Sequence, residues 1–109
     1  MKEYLPIGTV VTVKDIEKKV MIVGISQVRE TDVLERWDYV AVLYPTGVYA
    51  ENSFCFFDND DITEIVFKGY DDEERHAFLK IVDEAEKMVN EAEKTAEEKK
   101  KNSAQSAFE

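Results

Sequence analysis

Enzymes and metal sites depend on residue types that this sequence has in very small numbers. It contains one histidine (His76) and one cysteine (Cys55) among 109 residues. A single cysteine cannot form an internal disulfide, which favours a reducing cytoplasm as the location. Neither residue has neighbours at the spacing of a nucleophile–base pair or a metal site. We therefore expect no catalytic residue, cofactor or metal ion, a surface or sheet-docking His76, and a Cys55 that packs as a small apolar residue.

Long apolar runs are also missing. No segment approaches the roughly 20 residues that a membrane-spanning helix needs. The first residues, MKEYLP, lack the apolar centre of a secretory signal peptide. We expect a cytoplasmic protein without a membrane span.

Positive charge is scarce. The chain has 14 Lys and Arg against 24 Asp and Glu, a net charge of −10, and residues 1–70 and 71–109 each hold 7 basic and 12 acidic residues. Both parts would repel a phosphate backbone, so we expect no binding of nucleic acid. The acidic group Asp58, Asp60 and Asp61 lacks the glycine and the distant glutamate of a calcium loop. We interpret it as a turn that interrupts strand pairing.

Residues 1–70 have the pattern of an antiparallel β module. Short β-branched or aromatic segments alternate with Pro, Gly and Asp turns, which predicts about five strands in a small sheet or partly open barrel. Gly24, inside an apolar run, predicts a β-bulge or a sharp bend. We expect strands at 9–13, 19–25, 37–44 and 62–67 (the last at an edge), a weaker strand at 48–50, a short apolar segment at 54–57, turns at 6–8 and 15–17, a type I turn at 45–47, and a polar loop at 29–36 with one helical turn at 31–34.

The strand at 37–44 is rich in aromatic residues. Alternation places Trp37 and Tyr39 on one face with Ala41 and Leu43. These two aromatic residues are either part of the core, which we favour, or part of an exposed platform with Tyr44 and Tyr49.

Residues 71–101 predict one long amphipathic helix, followed by a frayed tail at 102–109. Asp71 and Glu74 fit a capping box at the start. About 30 helical residues span about 45 Å, more than a sheet of this size can cover. The apolar stripe either packs back on the sheet or binds the helices of a partner, because small residues and Met permit close and adaptable contacts. The candidate partner-binding residues, here called the helix seam, are Phe78, Ile81, Ala85, Met88, Val89 and Ala92.

Several short motifs follow one another in an order that resembles a known family. They are Leu5-Pro6-Ile7-Gly8, Met21-Ile22-Val23-Gly24, Trp37-Asp38-Tyr39-Val40, Leu43-Tyr44-Pro45-Thr46-Gly47, the Phe56 to Ile62 segment and Phe67-Lys68-Gly69-Tyr70. Over about residues 4–80 the chain resembles small proteins encoded in type VII (Esx) secretion clusters of Gram-positive bacteria. Their genes lie beside those of LXG toxins and of small WXG-like helical proteins.

The resemblance implies a chaperone or targeting adaptor without catalytic activity. Its partner would be the helical N-terminal region of an LXG toxin, with small WXG-like helical proteins as further candidates. The segment from Tyr70 to Glu74 also fits the loose Tyr-x-x-x-Asp/Glu pattern of type VII export signals, although helix capping accounts for the same residues. The alternatives are an immunity protein that blocks the toxin's catalytic domain, an enzyme, and a homo-oligomer formed through the helix seam.

Overall fold

The computed structural model describes residues 3–30, 34–51 and 53–103, and the side chains of 3–29, 34–51 and 53–89. The strands form one sheet in the order β4-β3-β2-β1-β5, and neighbouring strands are antiparallel. This confirms an α+β fold with a five-stranded antiparallel sheet and a long C-terminal helix. The elements are β1 (Val10–Val13), β2 (Ile16–Glu30), β3 (Leu34–Leu43), β4 (Phe54–Phe57), a 3-10 helix (Asn59–Asp61), β5 (Ile62–Phe67) and α1 (Glu73–Ser103).

Strands β1 and β5 lie where the sequence predicts them, and β5 is an edge strand, while the short apolar segment at 54–57 forms strand β4. The predicted weak strand at 48–50 is wrong. These residues form an exposed loop, in which the Ser53 hydroxyl accepts hydrogen bonds from the backbone N–H groups of Tyr49 and Ala50. The Ser53 side chain thus satisfies backbone groups that a strand partner would otherwise satisfy.

The predicted polar loop at 29–36 is also wrong. Strand β2 continues to Glu30 and β3 begins at Leu34, so the two strands form one long hairpin, paired as far as Glu30 with Leu34. The hairpin is polar here because both strands extend beyond the core, where no alternating apolar face is required. Of the predicted helical turn at 31–34, residue Leu34 belongs to β3, and residues 31–33 lie outside the described residues.

The β-bulge predicted at Gly24 is confirmed. The register between β2 and β3 shifts between Ile22 and Gly24, leaving one additional residue on β2. A Cβ at Gly24 would lie 2.6 Å from Val40 Cγ1, so the bulge is also a point of close packing.

The turn after β3 differs from the predicted type I turn. The Tyr44–Pro45 peptide bond is cis. Gly47 N donates to Leu43 O at 2.7 Å, a bond that closes five residues rather than four. Gly47 has φ +72°, a backbone conformation that favours glycine.

The core lies on one face of the sheet and is completed by the N-terminal segment and α1. Tyr39 is fully buried, packing edge-on against Tyr4 and obliquely against Phe57. This confirms the core interpretation of Tyr39, while Trp37 is half-buried and Tyr44 and Tyr49 are exposed. The buried cluster comprises Tyr4, Val11, Val13, Val20, Ile22, Tyr39, Ala41 and Phe57.

Two of the short motifs meet at a backbone crossing. The turn at Gly8 (φ +90°) lies against Gly69, and Gly69 N donates to Thr9 Oγ1 at 3.0 Å. A Cβ at Gly69 would overlap the Ile7 carbonyl oxygen and approach Thr9 N to 2.9 Å. Glycine is therefore required at 69 for two chain segments to pass this closely.

Two further motifs are joined by hydrogen bonds. Asp38 N donates to Asp58 Oδ1, and Asn59 N donates to Asp38 Oδ2, each at 2.9 Å. The Tyr39 hydroxyl donates to Asn59 Oδ1 at 2.6 Å and accepts from Leu5 N at 2.8 Å. The distinctive residues of these motifs thus hold separate parts of the chain together.

Candidate partner-binding surface

The N-cap residue of α1 lies one position after the predicted one, and the helix begins at Glu73. Asp72, not Asp71, is the N-cap: its Oδ1 accepts from Arg75 N at 2.9 Å, and its backbone oxygen accepts from His76 N. The predicted capping box of Asp71 and Glu74 is therefore wrong. Asp71 instead lies just before the helix and binds the side chains of Arg75 and His76, at 2.9 and 2.8 Å.

The Asp71 carboxylate is held in its charged form by these neighbours. The hydrogen bond from Arg75 is the main cause, and the neighbouring His76 side chain adds to it, so the pKa of Asp71 lies below its usual range. His76 is at the surface, as predicted, and its partner is this exposed carboxylate.

One face of α1 docks the helix on the sheet. Leu79 and Val82 pack against the core, while Arg75 and Glu86 bind the N-terminal segment. The Arg75 guanidinium donates to the backbone oxygen of Tyr4, and the Tyr4 hydroxyl donates to the Glu86 carboxylate at 2.7–2.8 Å. The residues Arg75, Leu79, Val82 and Glu86, here called the docking stripe, follow the four-three-four spacing of one helix face.

The hydrogen bond between Tyr4 and Glu86 is partly shielded from solvent. Burial is the main cause of a pKa of Tyr4 well above the usual tyrosine value, and the hydrogen bond to Glu86 raises it further. The phenol is therefore a neutral donor to a carboxylate, which is a charge-assisted bond. This contact holds α1 against the module at a point about four turns after the start of the helix.

The helix seam lies beside the docking stripe and is left uncovered. Phe78, Ile81, Met88 and Val89 are 51%, 63%, 70% and 43% exposed, and Ala85 is exposed as well. Ala92 lies in the part of α1 whose side chains are outside the described residues. A single molecule thus leaves this apolar strip in contact with water.

The seam borders a groove between α1 and the hairpin of β2 and β3, here called the hairpin groove. It consists of two cavities of about 330 and 340 Å³ along the same flank of the helix. The first is strongly apolar, with Phe78 on the helix facing Ile7 and Ile25. The second has Ala85 and Val89 facing Val28 and Trp37.

The described seam residues lie on one exposed strip of α1, but the sequence gave little indication of what holds the helix. The docking stripe is visible in the sequence only as Leu79 and Val82, because its outer members, Arg75 and Glu86, are charged. Tyr4 gave no signal, since its partner Glu86 is 82 residues away. Part of the second wall of the groove was missed, because the outer ends of β2 and β3 were predicted as a loop.

The other candidate residues form no reactive group. Cys55 is half-buried and packs against the core, and burial raises the pKa of its thiol. Asp58 and Asp61 bind backbone groups around the 3-10 helix. Within the described residues, no three His, Cys, Asp or Glu side chains are grouped to hold a metal ion.

The fold defines a small α+β domain in which an antiparallel sheet carries one long C-terminal helix. The chain belongs to the DUF4176 family, a domain of unknown function, whose model matches residues 4–78. The match ends in the first turns of α1, so most of the helix seam lies beyond it. No curated protein and no solved structure matches the chain. Among the described residues, no helix is long and apolar enough to cross a membrane.

Proposed function

We propose that this protein is a chaperone or targeting adaptor, without catalytic activity, for an LXG toxin of a type VII secretion system. It acts in the cytoplasm by binding the helical N-terminal region of the toxin. The helix seam packs against an apolar face of the toxin helices, and the acidic surface keeps the complex in solution.

The observation that carries this proposal is the exposure of the helix seam beside a groove that is apolar around Phe78 and mixed around Ala85 and Val89. Large apolar residues that recur at helical spacing and remain uncovered mark a protein-binding surface. The hairpin groove offers a second wall, so a partner helix can contact α1 and the sheet together. Met88 adds a flexible side chain that adapts to different partner surfaces.

The choice of partner depends on the resemblance to proteins encoded beside LXG toxins. The motifs that carry this resemblance form the scaffold, including the contacts of Gly69 and Tyr39. They carry the resemblance and leave the exposed face of α1 for recognition. A toxin whose N-terminal region is long and helical supplies the complementary ridge for such a groove.

Co-expression with the N-terminal region of the neighbouring LXG toxin, followed by co-purification, tests the proposal. We expect a stable complex with the unaltered chain, and a loss of about tenfold or more in affinity for Met88→Asp or Ile81→Asp, because each removes an apolar contact and buries a charge. Val48→Asp is the matched control, since Val48 is 62% exposed but lies in the loop after β3.

The same experiment distinguishes the chaperone from an immunity protein. An immunity protein would bind the C-terminal catalytic part of the toxin and leave the N-terminal part free. Binding only to the catalytic part, or binding that is indifferent to Met88→Asp and Ile81→Asp, would contradict the proposed function.

A further inference from the structure

A second groove lies on the opposite flank of α1 from the helix seam. It has a volume of about 650 Å³ and runs between α1, strand β5 and the N-terminal segment. Its floor is apolar, formed by Leu5 and Pro6, by Ile62 and Ile65 of β5 and by Leu79 of α1. We call it the edge groove.

The dimensions of the layers explain why this groove is open. Five strands at about 4.8 Å spacing make a sheet about 24 Å wide, whereas one helix with its side chains covers about 10 Å. The N-terminal segment fills only part of the remainder. Ile65 pairs with the buried Val11 on the helix-facing side, yet it is 50% exposed. The uncovered strip beside α1 therefore has the shape and the apolar floor that another helix requires.

The edge groove is lined by three Lys and Arg side chains against two carboxylates, Glu3 and Asp71, although the chain as a whole is strongly acidic. Lys68 at the end of β5 and Lys80 on α1 face the groove from its two sides, together with Arg75 and His76. Asp71 is already bound by Arg75 and His76. Within the described residues, neither Lys68 nor Lys80 has a carboxylate partner. The acidic group of Glu3 lies at the end of the groove.

We propose that the edge groove binds an acidic amphipathic helix of a partner protein. Its apolar side packs on Ile62, Ile65 and Leu79, and its carboxylates meet Lys68 and Lys80. Charge complementarity selects this occupant, because a basic helix would be repelled by these two lysines and attracted elsewhere on a chain of net charge −10. The inference concerns the flank of α1 that the toxin-binding proposal does not use, so either can fail alone.

Synthetic peptides added to the ¹⁵N-labelled full chain test this directly. The probe is a stapled helix of about 18 residues, or about 27 Å, with Leu at three-four spacing and Glu at the polar positions. One matched peptide carries Lys in place of Glu, and another has the same composition in scrambled order. We expect the Glu peptide alone to bind, with amide shifts at Ile62, Ile65 and Leu79 and with weaker binding at high salt.

Reversing the charges of Lys68 and Lys80 tests whether these two lysines bind the Glu peptide. Lys68→Glu combined with Lys80→Glu is expected to weaken binding of the Glu peptide about tenfold, since two favourable pairs become repulsive. Lys18→Glu combined with Lys19→Glu, on β2, is the charge-matched control and should leave binding unchanged. If the reversed variant does not fold, Lys68→Ala with Lys80→Ala replaces it, with an expected loss of about threefold.

Several outcomes would overturn the inference. These are no binding of the Glu peptide at millimolar concentration, equal binding of the Lys or scrambled peptide, an unchanged affinity after alteration of Lys68 and Lys80, and amide shifts confined to the helix seam. The last result would place the acidic helix on the toxin-binding face instead.

Discussion

Gly69 lies where the start of the module crosses the segment that leads into α1. Because a Cβ there would overlap backbone atoms of Ile7 and Thr9, Gly69→Ala requires two segments to separate. We expect a loss of roughly 1–3 kcal/mol in the free energy of unfolding, measured by urea denaturation. Gly47→Ala is the comparison, since Gly47 has positive φ, which Gly69 does not, but no atom within 4 Å of the added Cβ. A smaller loss for Gly69→Ala than for Gly47→Ala would contradict this account of the crossing.

Because of Tyr4, we expect the free energy of unfolding to fall as the pH becomes alkaline. Its pKa is raised by burial and by Glu86, so the folded chain keeps the phenol proton above pH 10, where the unfolded chain releases it. The stabilising effect is complete below about pH 10 and is lost as the pH rises further. Tyr4→Phe should therefore reduce the decline in the free energy of unfolding between about pH 9 and 11.

Urea denaturation at several pH values measures this decline. Some decline should remain in Tyr4→Phe, because burial also raises the pKa of Tyr39. An identical decline in the unaltered chain and in Tyr4→Phe would show that the bond to Glu86 does not persist in solution.

Single residues were predictable where one chemical requirement dominates. Tyr39 was correctly placed in the core because the alternation of its strand leaves it an apolar face. The cap was placed one residue too early, because Asp71 and Asp72 are chemically identical. Only the positions of Arg75 and His76, which bind Asp71, decide between them.

At the scale of elements, the start of α1 offers a direct comparison of these two carboxylates. Asp72→Ala removes the bond to Arg75 N and should lower the free energy of unfolding by about 1 kcal/mol. Asp71→Ala removes only exposed ion pairs and should lower it less. Thermal or urea denaturation of the two variants measures the difference, and a larger effect of Asp71→Ala would restore the capping box that the sequence predicts.

The two apolar strips of α1 should respond differently to a charge. Leu79→Asp places a carboxylate against the core and should destabilise the isolated protein by several kcal/mol, roughly 2–5. Met88→Asp lies on the exposed seam and should change the stability by less than about 0.5 kcal/mol. Chemical denaturation of each variant alone gives the comparison, and marked destabilisation by Met88→Asp would mean that the seam packs on its own domain.

Strands were predictable from sequence where β-branched and aromatic residues recur, even in the largely exposed β5. Strands β1 and β5 carry apolar residues on at least one face, and both were found. The outer halves of β2 and β3 are polar because the hairpin extends beyond the core, so periodicity gave no sign of them. What pairs them is backbone hydrogen bonding, which leaves little trace in the side-chain pattern.

At the scale of the whole molecule, α1 is the centre of the arrangement. Its docking stripe fixes it to the module, the helix seam faces solvent beside the hairpin groove, and the edge groove lies on the other flank. The seam could be predicted from helical spacing alone. Neither groove could be predicted from the sequence, because each has one wall on α1 and the other wall on strands or on the N-terminal segment. The placement of Lys68 and Lys80 on the two sides of the edge groove required the fold, since these lysines belong to different elements.

The central claim is that this domain recognises toxin helices through the exposed face of α1. Titration calorimetry of the unaltered chain, Met88→Asp and Val48→Asp against separate N-terminal and C-terminal fragments of the neighbouring LXG toxin tests it most directly. We expect the unaltered chain and Val48→Asp to bind the N-terminal fragment equally, and Met88→Asp to bind it about tenfold or more weakly. Binding to the C-terminal fragment alone, or equal affinities for all three proteins, would contradict the claim.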